Sequence, residues 1–399
     1  MSKEMKLMPE LRFLEFDRAS EWQLQPLRKV LIKNSKKNKS LKHNLVQSVS
    51  NKHGFINQED YFDNRRVASK DTSNYYVIKK GYFAYNPSRI DVGSLAYQHE
   101  NITSIISPLY VSFQANYEEV DDIFLLNWFF SNQFSSQLIF EGGVRNSLSY
   151  ENLVQINITL PSIPEQQKIA SCLSSLDELI AAHKDKLDAL KDHKKGLLQN
   201  LFPQEGETAP KVRFPEFEGD GEWVEKKLGK IAENLDSKRI PITSTKREKG
   251  VIPYYGASGI IDYVKDYIFD EDLLLISEDG ANLVARVYPI AFSITGKTWV
   301  NNHAHVLKFE NWFTQVLVEM YLNSKNIENF LTGMAQPKLN RKKLDIIPIP
   351  IPKNPKEQQK IATCLSAVDE LITAQQEKIE QLQLHKKGLM KGLFPKIES

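Results

Sequence analysis

A chain of 399 residues is too long for one hydrophobic core and suits two domains of ordinary size with connecting helices. Its 52 Lys and Arg against 50 Asp and Glu leave a formal net charge of +2, which excludes a general polycation but leaves room for local basic surfaces. Two cysteines exclude a disulfide framework, and the lack of an apolar run after MSKEMKLMPELRF predicts a cytoplasmic chain with neither signal peptide nor membrane span.

The first predicted element is a short extended segment carrying Arg12, Phe13, Glu15, Phe16, Glu21 and Trp22, whose aromatics anchor the chain on its domain. From Trp22 to Gln58 there are eight Lys or Arg and no Asp or Glu, and Lys36, Lys37, Lys39 and Lys42 fall within that run. Strand-like stretches follow at YYVIKKGYFAYN and ISPLYVSFQ, rich in aromatic and β-branched residues. A helix is predicted over DDIFLLNWFFSNQF, then a glycine-containing loop and a return strand into proline, with Gly142, Leu148, Leu153, Ile156 and Ile158.

Glu165 to Pro203 reads as one long helix. Leu173, Leu176, Ile180, Leu187 and Leu190 recur in alternating steps of three and four, the seam of a supercoiled pair. Cys172 sits beside that seam, and Cys364 beside its counterpart, as small buried hydrophobes. The linker QEGETAP cannot continue the helix.

The chain then starts again. Arg213, Phe214, Glu216, Phe217, Glu222 and Trp223 repeat the opening segment at an offset of 201, and Gly333, Leu339, Leu344, Ile347 and Ile349 repeat the return. Between them, DLLLIS, ARVYPIAFSI and TWVNNHAHVLKF read as strands and WFTQVLVEMYLNSKNIENFL as a helix, although the interiors no longer align well. Glu357 to Pro395 then returns the long helix at an offset of 192, with 24 identities in 39 positions and a seam of Leu365, Val368, Ile372, Ile379 and Leu382. Polar residues interrupt both seams at matched places, His183 with Gln375 and Lys194 with Lys386. Buried at an antiparallel crossing, the first of these pairs would fix register; at a partly exposed seam both would snorkel.

The predicted fold class is therefore α+β: two globular parts, each a small mixed β-rich sheet with helices, separated by two long helices forming an antiparallel coiled-coil pair with a pseudo-two-fold internal repeat. The divisions are 1–161, the helix 162–203, the linker 204–209, 210–352 and the helix 353–399.

Motifs for catalysis are weak. AFSITGKT satisfies a permissive nucleotide-loop pattern, but the alternating TWVNNHAHVLKF that follows is a strand where phosphate binding needs a helix N-terminus. His303 and His305 would put two imidazoles on one side of a strand without completing a metal shell, so no metal is expected. No Pro-Pro dipeptide, HExxH or GxSxG is present, and no catalytic residue is expected. The remaining signal is basic. Lys238, Arg239, Lys246 and Arg247 precede YYGASG, Lys338 and Arg341 precede the return strand, and Lys297 stands with them. These and the first unit's lysines are candidates for phosphate contact; Asn301, Asn302 and His303 are candidates for base contact.

The paired EQQKIA…HKKGL..LFP helices, the proline-ending strand before each, and the YGASGIIDY…LLLISEDGAN…NHAHVL series resemble the specificity subunit of type I restriction-modification enzymes over Pro9 to Pro395. The resemblance implies two target-recognition domains, each reading one half of a split double-stranded DNA target, with the helices setting the unread spacer. Half-sites on one face of a duplex would then be centred about 34 to 36 Å apart, roughly 10 to 10.5 base pairs. It further implies two docked methyltransferase subunits, with nuclease/translocase subunits in the full complex. S-adenosylmethionine, ATP and magnesium would belong to those partners, and this chain would hold no cofactor. A duplicated coiled-coil adaptor binding other proteins through its globular ends is the alternative reading.

Overall fold

The computed structural model describes residues 7–58, 69, 71–138, 147–333 and 336–395, so that Gly142, matched above to Gly333, lies outside them. The chain divides into two units, Met1–His183 with Lys378–Ser399, and Lys184–Glu377. Each unit thus combines one globular part with a portion of both long helices. No helix among the described residues is long and apolar enough to cross a membrane.

The strands of the first unit are β1 (Gln23–Pro26), β2 (Leu31–Lys33), β3 (Val46–Ser50), β4 (Gly54–Asn57), β5 (Tyr76–Ile78), β6 (Tyr82–Tyr85), β7 (Leu95–Tyr97), β8 (Ser104–Ile106), β9 (Val111–Ala115) and β10 (Asn157–Leu160). They form a β1-β10 pair and two four-stranded sheets ordered β2-β9-β6-β7 and β4-β3-β8-β5. Among the described strands of this unit, only β3 and β8 run parallel. In the second unit the strands are β11 (Val224–Lys227), β12 (Glu233–Asn234), β13 (Lys249–Gly256), β14 (Gly259–Val264), β15 (Phe269–Asp270), β16 (Leu273–Ser277), β17 (Ala291–Ile294), β18 (Lys297–Val300), β19 (Ala304–Lys308) and β20 (Pro348–Ile351). Their orders are β11-β20, β12-β19-β16-β17 and β14-β13-β18-β15, so each strand has a counterpart ten places earlier. The parallel pair recurs as β13 and β18.

Interiors that do not align in sequence therefore share one topology, and core chemistry explains the mismatch. The first core is aromatic, with Phe83 stacked on Phe113 at 5.1 Å and Trp128, Phe129 and Phe134 around them. The second is filled by aliphatic side chains such as Leu274, Ile276, Val318, Leu322 and Ile349. A core keeps its fold when total volume and pattern are kept, so the residues can change while the strands stay.

Two predicted helices are shorter than their apolar runs. The first is α1 (Asp122–Phe129), capped by Asp121 accepting from the Ile123 and Phe124 amides; it stops at Ser131, whose hydroxyl donates to the Trp128 carbonyl, before a single further turn. The long helix α2 spans Ile163–Leu201, α3 spans Trp312–Ser324, and the second long helix α4 spans Pro355–Leu393. Prolines near the first turn of both long helices are pre-set for helix and lack an amide that would go unpaired there. At about 1.5 Å per residue, 39 residues make a rod of roughly 58 Å.

Within each unit the two long helices run antiparallel. In the first, Lys386 donates to Asp177 at 2.5 Å, and Leu389 and Leu393 share a core with Leu173 and Ile169. In the second, Lys194 donates to Asp369 at 2.5 Å, and Leu197 and Leu201 share a core with Leu365 and Ile361. The two ion pairs are the same pair at an offset of 192. The seam residues Leu173, Ile180, Leu365, Val368, Gln375, Ile379 and Leu382 are buried; Leu176, His183, Leu187, Leu190 and Ile372 are half-buried. Cys172 and Cys364 are half-buried as well, less enclosed than expected of small core residues.

Each opening segment is tied to a long helix by a buried clamp. The Arg12 guanidinium donates to both oxygens of Glu165, at 2.8 and 2.7 Å, and Trp22 Nε1 donates to the same carboxylate at 3.2 Å. Arg213, Trp223 and Glu357 repeat it at 2.7, 2.6 and 3.3 Å. Hydrogen bonding to its glutamate holds each arginine above its ordinary pKa. Lys168 sits over the Phe13 ring and Lys360 over Phe214. The aromatics of the opening segment thus pack as expected, and the glutamate and lysine of EQQKIA are the other half of that joint.

Candidate nucleic-acid interface

In the first unit the basic run becomes a loop after β2 with alternating roles. Asn34 is buried, donating to the Val77 carbonyl and the Ser112 hydroxyl and accepting from the Lys36 amide. Asn38 is buried too, bonded to the Tyr75 carbonyl through its backbone amide and to the His43 carbonyl through its side chain. Pinned at those two points, the loop turns Lys36, Lys39 and Lys42 to solvent. Lys37 lies flat over the Tyr76 ring at 3.0 Å, and Lys39 donates to Asn74. None of the four forms an ion pair with a described residue. A loop so fixed presents charge at low ordering cost, which suits phosphate contact.

The basic residues of the second unit behave otherwise. Arg239 is not available to DNA: its side chain is 13% exposed, and it donates to Glu278 at 2.7 Å and to the Ala304 carbonyl at 2.8 Å. A guanidinium in that position holds the domain together. Arg247 donates to Asp262 at 3.1 Å and to the Ile242 carbonyl while stacking on Tyr254. Lys338 pairs with Glu278 at 3.2 Å, and Arg341 lies 3.7 Å from Asp345. Internal carboxylates thus answer four of the candidates. Lys238 and Lys246 are exposed without ion pairs among the described residues, and Lys297 is exposed over the Tyr267 ring at 4.7 Å.

The stretch TWVNNHAHVLKF is two strands, β18 and β19, with a turn at Asn302 and His303. Asn301 is buried, its side chain accepting from the His303 amide, so it shapes the turn and is not presented to a base. Asn302 is exposed. His303 and His305 do not share a strand face: His303 is half exposed with Nδ1 2.8 Å from Asp279, and His305 is enclosed with Nδ1 2.6 Å from Asp236 and Nε2 2.7 Å from the Leu339 carbonyl. No group of three or more metal-ligating residues exists among the described residues. The nucleotide-loop pattern is a turn at Thr295 and Gly296 between β17 and β18, and a strand follows it as expected.

Burial tends to raise the carboxylate of Asp236, but hydrogen bonds from His305 and the Val306 amide with the Arg239 charge outweigh it and hold it low. Glu278 is held low likewise: burial works against it, and the hydrogen bond from Arg239, with the nearby His305 and Arg239 charges, outweighs that. The structure therefore brings Arg239, Glu278, Lys338, Asp236 and His305 together as an internally neutralised knot. What sequence reading missed is the outward face of β13 and β14, where Val251, Ile260, Ile261 and Tyr263 stand exposed. The run YYGASGIIDY carried that signal, with adjacent isoleucines that strict strand alternation cannot bury together.

A model of the type I restriction modification DNA specificity domain matches residues 20–192 and 220–384. Over 131 residues the chain is 40% identical to a Haemophilus influenzae protein named as a type I restriction enzyme specificity subunit, covering 33% of each. Over 266 residues it is 27% identical to one of Methanocaldococcus jannaschii named as the MjaX specificity subunit, covering 63% of this chain and 61% of that one. The match thus spans a third to three-fifths of these relatives. The crystal structure of the S subunit of a type I restriction-modification system from M. genitalium is similar in fold, with a TM-score of 0.64 at 16% identity, covering 98% of this chain and 100% of that one.

Proposed function

The chain belongs to the type I restriction-modification DNA specificity family, and from that premise we propose that its two globular parts each read one half of a split duplex target. The long helices set the unread spacer and dock the methyltransferase and nuclease/translocase subunits. The observation that carries this reading is duplication with divergence: one strand topology occurs twice, and its cores and outer faces are filled with different residues. One scaffold used twice with different surfaces suits a ligand whose two halves differ in sequence and share a backbone. The helices diverge least, with 24 of 39 positions identical, which suits two copies of the same partner docking in equivalent ways. Catalysis lies with those partners, and this chain positions them on DNA.

The test lengthens the ruler. Seven residues inserted at matched points of α2 and α4 keep the apolar seam in phase and add about 10.5 Å, close to three base pairs. Methylation profiling of cells carrying that variant and its methyltransferase should return the same two half-sites with a spacer about three base pairs longer. Retention of the original spacer would refute the assignment to the helices.

A further inference from the structure

The geometry points to the β13–β14 hairpin as a major-groove reader that recognises thymine methyl groups in the half-site of the second unit. This deepens the function proposed above and rests on it.

The hairpin sits at the edge of its sheet, with β14 outermost. Its register breaks twice. Between Lys249 and Ile252 the chain slips, both residues facing Val264; between Tyr254 and Tyr255 the partner jumps from Asp262 to Ile260. A bulge adds a residue with no cross-strand partner and re-aims side chains. Here the bulged residues are apolar. Val251 emerges 84% exposed and Ile261 51% exposed, beside exposed Ile260 and Tyr263. The first break is built in: a Cβ on Gly250 would lie 2.3 Å from the Val264 carbonyl oxygen, so only glycine fits there.

The counterpart hairpin, β3–β4, is paired without a break and carries other chemistry. Ser48, Ser50, Asn51, Lys52 and His53 line it and its tip, with Gly54 in the left-handed region at φ 66°. If both hairpins do one job on a duplicated scaffold, their shared ligand must accept a polar basic ribbon at one end and an apolar one at the other. The major groove admits a two-stranded ribbon and offers donors, acceptors and, at thymine alone, a methyl group. Exposed Lys246 and Lys249 at the base of the apolar hairpin are placed for flanking phosphates.

The test uses the full chain with its methyltransferase and duplexes bearing the target found by methylation profiling. Thymines of each half-site in turn are replaced by uracil, which removes only the methyl group. One half-site should weaken by about fourfold per contacted methyl. In the double variant Val251→Ser, Ile261→Ser, binding to the natural target should fall and uracil should no longer matter in that half, while response to the other half persists. Both positions are exposed, and an unchanged melting temperature checks the fold. Uracil without effect in either half, or a double variant binding as the unchanged chain does, would overturn the hairpin's role while target discrimination stands. Failure of the unchanged chain to tell target from scrambled duplex would overturn this inference together with the function beneath it.

Discussion

Glu357→Ala removes the carboxylate that three side-chain donors share, and its cost can be worked from the clamp. Glu357 is fully enclosed, and the Arg213 side chain is 11% exposed. Breaking a buried pair by deleting one partner costs about 3–5 kcal/mol, because the remaining charge is left uncompensated. Arg213 keeps a 2.6 Å hydrogen bond to the Gly221 carbonyl and lies near solvent, which pulls the charge term toward the low end. Trp223 Nε1 loses its acceptor, adding about 1 kcal/mol or more. The expected loss is thus about 4 kcal/mol, measured as the shift in urea midpoint followed by tryptophan fluorescence. Glu165→Ala, with donors at 2.8, 2.7 and 3.2 Å, should cost nearly as much. The double replacement Arg213→Met, Glu357→Leu leaves no orphaned charge and should be milder than Glu357→Ala alone. A loss below about 1 kcal/mol for Glu357→Ala, or a double variant worse than the single, would refute the clamp.

Replacing Lys36, Lys39 and Lys42 together by alanine should flatten the dependence of log K on log salt by up to about 3 units if each meets a phosphate, whereas Arg239→Ala should leave that slope alone and cost about 3 kcal/mol of stability; an unchanged slope in the triple variant removes that loop from the interface. Asp236 and Glu278 are held below their ordinary values, so their stabilisation is complete above about pH 5 and is lost as pH falls through the lower folded values; urea midpoints measured against pH should drop on that acid side, and Arg239→Ala should blunt the drop. Glu319 has the opposite sign, since burial, aided by Asp369 and opposed by the Ser293 hydroxyl, raises its pKa. Stability is therefore spent as pH rises above about 4, and Glu319→Gln should raise the urea midpoint at pH 7 with a gain that vanishes below about pH 4.

The long helices were legible because a three-four alternation and a constant offset of 192 are written along the chain, and an antiparallel pair is the solution that lets two similar seams cover each other. Their polar interruptions fall at matched places, and the sequence assigns a register role to His183 with Gln375 and no partner to Lys194 or Lys386. In the structure each lysine instead meets the aspartate of DELI on the facing helix. Side-chain periodicity locates a seam but does not say which charges meet across it, since that depends on stagger. The shared topology of the globular parts was not legible. Phe83 and Phe113 occupy one core where aliphatic side chains fill the other, and such exchange erases residue identity while preserving strand order. Charge misled at Arg239 and Arg247 for a related reason. Both are near lysines in sequence, but their carboxylate partners Glu278 and Asp262 come from elsewhere in the chain, so a local count of charge overstated the free positive surface.

If the hairpins read DNA as proposed, stability and recognition are carried by separate residues. The clamps use Arg12, Trp22 and Glu165 and their exact repeats, and the helix pair uses Asp177 and Lys386 and theirs; none of these lies on β3–β4 or β13–β14. The hairpin side chains Val251, Ile260, Ile261 and Tyr263 are exposed, and substitutions at exposed positions usually stay within about 0.5 kcal/mol. A hairpin can therefore change what it touches without loosening the helix that carries it. That separation accounts for one part of the pattern of the repeat, in which the clamps and the helix pair stay alike while the outward faces of the two hairpins differ.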